Sequence, residues 1–223
     1  MGVNVCLYIS IAGFKIKTSE IIVKQLKVGG LDSNFSYLLY HAATGDAALI
    51  DPCGDVRIIE NAVKACGKIN PRYILLTHGH GDHTSGVNES LKFFPAPTLA
   101  HPFCSFPHVR DLQDREKLEF GNLYIEVLFS PGHSVDSVCY RLSNDSAVFT
   151  GDTLFIDCCG YCKPGKMFRT MREVLYPLAD SNIVYSGHDY GHVPFAPLGE
   201  EKRTNPYLYI DNLDAFIDAV RKL

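Results

Sequence analysis

Apolar positions along the chain follow two periods. Short runs rich in β-branched and aromatic residues, bounded by Gly, Pro or Asp, read as strands at 21–27, 36–42 and 46–51. From Asp55 to Gly67 the period becomes helical: Ile58, Ile59, Val63 and Cys66 share a face, Asp55 suits the cap and Gly67 stops the helix. Residues 72–77 predict a strand, 85–94 a helix and 98–101 a short strand. A hairpin follows over 117–129, turning at Phe120-Gly121-Asn122, then strands at 138–142 and 146–150. A helix at 167–178, a strand at 182–186 and a closing helix at 212–223 complete the chain. Strands and helices thus alternate in two blocks, which periodicity alone reads as one α/β domain over residues 1–223.

The 223 residues are 46% hydrophobic and 21% charged, enough for one large core. Net charge is −4 and the isoelectric point is near 6.1. A nucleic-acid binder carries a basic face or stripe, and none is visible. No apolar run is long enough to span a bilayer. Val3 to Phe14 is apolar, but no cation precedes it and Lys15 and Lys17 follow, so it makes a poor secretory signal. It reads as an extra strand or an extension of the first sheet, with residues 1–20 as an N-terminal extension. The eight cysteines do not imply a disulfide scaffold in a chain this long. They suit unpaired thiols in a reducing cytoplasm, the expected location.

The densest chemistry is Thr77-His78-Gly79-His80-Gly81-Asp82-His83, directly after the apolar run Tyr73 to Leu76. Two interleaved glycines let the backbone turn so that neighbouring side chains converge. Imidazoles and carboxylates held at about 2 Å are what a borderline ion such as zinc requires. Three later turns follow apolar runs in the same way. They are Ser130-Pro131-Gly132-His133, Thr150-Gly151-Asp152-Thr153 and Ser186-Gly187-His188-Asp189-Tyr190. Four strand ends therefore each offer metal-ligand chemistry, the usual way a site is assembled from distant segments.

The ordered set T-H-x-H-x-D-H, P-G-H, G-D-T and G-H-D-Y resembles the metallo-β-lactamase superfamily. Within it, the chain is most similar to the glyoxalase II group (hydroxyacylglutathione hydrolases) and its short bacterial relatives, from about Ile21 to Leu208, with the Gly199 to Pro206 tail included. The resemblance implies a four-layer αββα sandwich. It implies two divalent ions, zinc first and iron or manganese as alternatives. His78, His80 and His133 would hold one ion, Asp82, His83 and His188 the other, and Asp152 would bridge them. It implies hydrolysis of a thioester by a bridging hydroxide, with Asp82 orienting the nucleophile and handling its proton. Asp152 stands where many β-lactamases of this fold place a cysteine, and His80 where di-iron oxygen reductases place a glutamate, so neither branch fits well.

Persulfide dioxygenases are a second resemblance, in length, in the same turns and in the G-E-E-K tail. They use one iron, which His78, His133 and Asp152 would hold here. A lactonase or similar ester hydrolase is a third reading. In the run Cys158 to Lys166, Cys159-Gly160 fits the glutathione-binding pattern, but Tyr161 takes the basic position and Lys163 or Lys166 would substitute. Tyr190 matches a tyrosine that contacts glutathione in the family. Only 35 residues follow His188, so a longer helical C-terminal domain like that of classical glyoxalase II is not expected in this chain. A small thioester or thiol-derived substrate is the expected partner, with a homodimer possible. Cys159-Gly160-Tyr161-Cys162 reads first as substrate loop or packing, second as thiol redox chemistry and third as a zinc site. His41, His101, His108 and His192 read as surface or supporting residues. Asp51, in the turn Asp51 to Gly54, suits a hydrogen bond to a ligand imidazole or a simple turn equally well.

Overall fold

The computed structural model describes residues 8–11, 14–17 and 21–223. Two six-stranded sheets lie face to face. The first has the order β3-β4-β5-β6-β7-β8 and the second β14-β13-β12-β11-β10-β9. In the first sheet, β3 (Ile21–Gly29), β4 (Asn34–His41) and β5 (Asp46–Ile50) run antiparallel. Then β6 (Asn70–Leu75), β7 (Thr98–Ala100) and β8 (Arg110–Asp111) continue parallel to β5. The second sheet combines β9 (Lys117–Phe120), β10 (Leu123–Phe129), β11 (Val138–Leu142) and β12 (Ala147–Gly151) with β13 (Ile183–Ser186) and β14 (Ala196–Pro197). There β12 and β13 are parallel and the other pairs antiparallel.

Strand side chains alternate between faces. Phe35, Tyr37, Leu39, Ala48 and Ile50 point into the core between the sheets, where Val127, Tyr140 and Phe149 meet them. Leu38, Ala47, Leu49 and Ile74 point outward beneath helix α1 (Val56–Lys64), and Cys139, Val148 and Val184 point outward beneath the C-terminal helices. Both faces of the central strands are therefore apolar, and the runs in the sequence are nearly unbroken. The result is the expected four-layer αββα sandwich.

Helix α1 begins as expected, with Asp55 accepting from the Arg57 amide, but Ile58 lies on the exposed side while Val56, Ile59 and Val63 are buried. Of the helix expected at 85–94 only one short turn forms, α3 (Val87–Ser90), and a second turn, α2 (Gly81–Thr84), precedes it on the ligand loop. Gly86 breaks them apart: its amide donates to Pro52 O at 3.0 Å, and a Cβ there would sit 2.9 Å from that same oxygen. The helix expected at 167–178 starts earlier, as α4 (Pro164–Thr170), and continues as a π-helical turn over Met171–Leu175. Proline suits the first helical turn because its missing N–H is not needed there. Helix α5 (Leu198–Thr204) and the short edge strands β8 and β14 were not legible in the pattern, and the closing helix α6 is confined to Leu213–Val220 with Asn212 as its cap. The apolar N-terminal stretch forms a hairpin of its own, β1 (Tyr8–Ile11) with β2 (Phe14–Lys17), rather than extending the first sheet; its beginning at 3–7 lies outside the described residues.

Candidate metal centre

Strand β10 is antiparallel to β11, which is antiparallel to β12, which is parallel to β13. The carboxyl ends of β10, β12 and β13 therefore share one edge, and the carboxyl ends of β5 and β6 meet them from the facing sheet. The five imidazoles and two carboxylates singled out in the sequence come together there. Three overlapping sets each place one ligand atom per residue within 4.8 Å of the others: His78, His80, His133; His78, His83, Asp152; and Asp82, His83, His188.

Hydrogen bonds behind each ring fix which nitrogen faces inward. His133 Nδ1 lies 2.9 Å from Tyr161 O, His188 Nδ1 2.6 Å from Asp32 O, and His83 Nδ1 3.0 Å from Asp51 Oδ2. These acceptors hold the proton on Nδ1 and leave Nε2 as a lone-pair donor toward the centre. His80 does the reverse, with Nδ1 inward, 2.9 Å from His78 Nε2 and 3.0 Å from His133 Nε2. Nitrogens about 2 Å from one tetrahedral ion stand roughly 3.3 Å apart, close to this spacing.

Asp152 supplies the sharpest test of fit. Its Oδ1 is buried without a hydrogen-bond partner, though 3.2 Å from His83 Nε2 and 3.4 Å from His188 Nε2. Its Oδ2 lies 3.5 Å from His133 Nε2 on the other side. A buried carboxylate oxygen left unbonded between lone pairs is costly unless a cation sits beside it. The donor set therefore fits a metal site. Gly187 keeps the space open: a Cβ there would collide with Asp152 Oδ1 and lie 2.7 Å from His83 Cε1.

The candidate ligands also bear on one another electrostatically. Burial alone would raise the Asp152 carboxyl, but the His188 and His83 imidazoles hold it well below the usual range. Burial likewise opposes charge on His83, yet Asp152 and Asp51 lift it well above an ordinary histidine. His78 is pushed well down by burial and by the neighbouring His83, and burial lowers His133 as well.

Three supporting residues escaped the sequence reading. Asn34 Nδ2 donates to Asp82 Oδ2 at 3.0 Å. Asp136 Oδ2 accepts from the Gly79 amide at 2.7 Å, clamping the loop between His78 and His80. Thr77 Oγ1 donates to Asp51 Oδ2 at 2.6 Å, and its amide donates to Asp51 Oδ1 at 2.8 Å. Asp51, read openly as turn or support, is both: it adopts φ +47° in the turn and holds His83. Asp136 lies three residues after His133, which was the available signal for it, and Asn34 at the start of β4 carried none.

The four expected substrate residues divide. Tyr190 stacks on His188, with ring centroids 4.9 Å apart, and its hydroxyl donates to Asp32. Tyr161 reaches the centre through its carbonyl on His133, while its side chain is exposed. Lys163 precedes α4, where its amide donates to Gly132 O at 2.9 Å. Lys166 lines a cavity of about 280 Å³ with Phe129, Pro131 and Arg169. Cys159 and Cys162 are buried in the outer core of the second sheet, consistent with packing, and none of the three ligand sets contains a cysteine.

The profile of the metallo-β-lactamase superfamily matches residues 29–220, and the chain belongs to that superfamily. It is 38% identical over 179 residues to a probable hydroxyacylglutathione hydrolase of Schizosaccharomyces pombe (strain 972 / ATCC 24843), covering 75% of this chain and 69% of the relative. It is 34% identical to the cytoplasmic hydroxyacylglutathione hydrolase of Arabidopsis thaliana, covering 75% and 68%. It thus spans about two thirds of these relatives' length. The crystal structure of ETHE1 from Myxococcus xanthus superposes with a TM-score of 0.78 at 27% identity, covering 89% of each chain. Among the described residues no helix is long and apolar enough to cross a membrane.

Proposed function

We propose that the protein is a metal-dependent hydrolase of thioesters of the hydroxyacyl-glutathione kind. The observation that carries this reading is the complete set of seven ligands around the unpartnered Asp152 Oδ1. The hydroxyacylglutathione hydrolases it resembles supply the substrate class. His78, His80 and His133 would hold one divalent ion, zinc first, and Asp82, His83 and His188 a second, with Asp152 between. When bound, the ions supply Lewis acidity, which brings a water's pKa toward neutrality and polarises a carbonyl oxygen.

The chain's own residues do the rest. Asn34 orients Asp82, whose carboxylate positions the attacking water and takes its proton. Asp51 and the Asp32 and Tyr161 carbonyls keep His83, His188 and His133 in the ligating tautomer. Water oxygen bonds to the acyl carbon, the carbon–sulfur bond breaks, and the thiolate leaves. A thiol pKa of about 8.5 makes that departure easy, so no strong general acid is needed.

A one-iron dioxygenase would use His78, His133 and Asp152 alone. It would leave His80, Asp82, His83 and His188 without a task although they converge as closely. The test joins metal analysis of the purified protein to a thioester assay that reads free thiol. Two divalent ions per chain and at least 100-fold loss of turnover in His80→Ala and Asp152→Ala are expected. A single iron per chain with oxygen uptake on a persulfide, or unchanged thioesterase in both variants, overturns the reading.

A further inference from the structure

We infer that the mouth of the metal centre selects thioesters with an uncharged, apolar acyl group, held by Leu31, Phe103, Val135, Tyr161 and Tyr190. This deepens the thioesterase reading and rests on it. Leu31, Tyr161 and Phe103 are the three most exposed large apolar side chains among the described residues, at 89%, 82% and 70%, and Val135 and Tyr190 are each 46% exposed. Single exposed apolar residues are ordinary. These five are different, because each sits on a separate loop that is tied to the ligands.

Leu31 precedes Asp32, whose carbonyl lies 2.6 Å from His188 Nδ1. Phe103 stands two residues before Ser105, whose hydroxyl donates to Gly79 O at 3.3 Å, between His78 and His80. Val135 precedes Asp136, which holds the Gly79 amide. The Tyr161 carbonyl holds His133, and Tyr190 stacks on His188. Neighbouring rings brace the aromatic members: Phe155 meets Tyr190 edge-on at 5.0 Å, and His101 meets Phe103 at 5.1 Å. A thioester whose carbonyl reaches the centre extends its arms past these five loops. Exposed apolar surface collected around a reaction centre marks a binding surface.

Charge narrows the acyl class further. Two basic side chains nearby are already paired, Lys27 on β3 with Asp189 at 2.6 Å and His192 with Asp157 at 2.7 Å. Asp32, bonded to the Tyr190 hydroxyl, adds a third carboxylate. On the Leu31 and Tyr190 side, away from Lys163 and Lys166 beside Tyr161, an acyl group bearing its own carboxylate meets repulsion, whereas an alkyl or aryl group gains burial.

The experiment uses the metal-loaded enzyme and straight-chain acyl thioesters from acetyl to decanoyl on one small neutral thiol, N-acetylcysteamine. kcat/KM is expected to rise about three- to fourfold per methylene until the rim is covered. Leu31→Ala and Phe103→Ala are each expected to lower the octanoyl-to-acetyl ratio about tenfold. Leu91→Ala, an exposed site just after α3, leaves that ratio unchanged. Succinyl thioester is expected to react at least ten times more slowly than butanoyl. A flat chain-length profile, an unaltered ratio in the rim variants, or preference for succinyl overturns the inference while leaving the hydrolase intact. A flat profile with a dimer that the rim variants dissociate overturns it in favour of a second copy on the rim. No turnover of any thioester removes the hydrolase reading itself, and the inference with it.

Discussion

Asp51 concentrates several functions in one side chain. It sits in a left-handed backbone conformation that Asp and Asn tolerate better than other non-glycine residues. Its two oxygens accept from the Thr77 amide, the Thr77 hydroxyl and His83 Nδ1. Asp51→Asn keeps the backbone and the volume. If the amide oxygen keeps the Thr77 amide, the new NH2 faces His83 Nδ1, and the imidazole proton moves to Nε2, where a lone pair is needed. Metal affinity is expected to fall about 10–100-fold, read by competition against a chromophoric chelator. A variant that binds metal as tightly as wild type would show that tautomer control is not what Asp51 contributes. The candidate ligands were legible because their residue types repeat at strand ends. Asn34 and Asp136 were not, because one amide and one carboxylate acquire meaning only through the atoms they touch.

Among the elements, the junction between the two sheets depends on Asp46 at the start of β5. It accepts from Asn70 Nδ2 at 2.6 Å and the Gly121 amide at 3.0 Å, and it pairs with Arg72 at 3.3 Å. Three elements are thereby pinned: β5, the start of β6 and the β9–β10 turn. Burial would raise this carboxyl, but its bonds to Gly121 and Asn70 and the charge of Arg72 lower it below its ordinary 3.8. A depressed carboxyl stabilises the fold above the unfolded value and loses that contribution as pH falls through the folded value. Asp46→Asn is therefore expected to cost about 1–3 kcal/mol at pH 7. The gap from wild type should close below pH 3.8, followed by urea titration across pH. The same scale separates what periodicity can and cannot predict. Strands buried on both faces were visible as apolar runs, and α1 by its 3.6-residue repeat. The break between α2 and α3 was not, because it follows from Gly86 pressing against Pro52, 34 residues earlier.

For the whole molecule, the centre lies where both sheets end, so metal binding couples the two halves of the sandwich. Ions that bind only the folded chain stabilise it by mass action, by about 2.7 kcal/mol for one site at 100 times its Kd. Chelation is expected to lower Tm by about 5–10 °C, with recovery on adding zinc, in a calorimetric scan. An unchanged Tm with metal shown to have left would mean that the ions bind the folded chain no more tightly than the unfolded one. Five imidazoles and two carboxylates gathered at one edge, with Asp152 Oδ1 unpartnered, argue for the large shift.

The sequence by itself determined the α/β alternation, the superfamily and the identity of the seven candidate ligands, because apolar period and ligand spacing are local properties of the chain. Only the tertiary structure decided which nitrogen of each histidine faces inward, that Asp152 keeps a bare oxygen, and that five loops carrying exposed apolar residues are tied to the centre. Those facts depend on distances between segments up to 156 residues apart, such as Asp32 and His188, which no local pattern encodes.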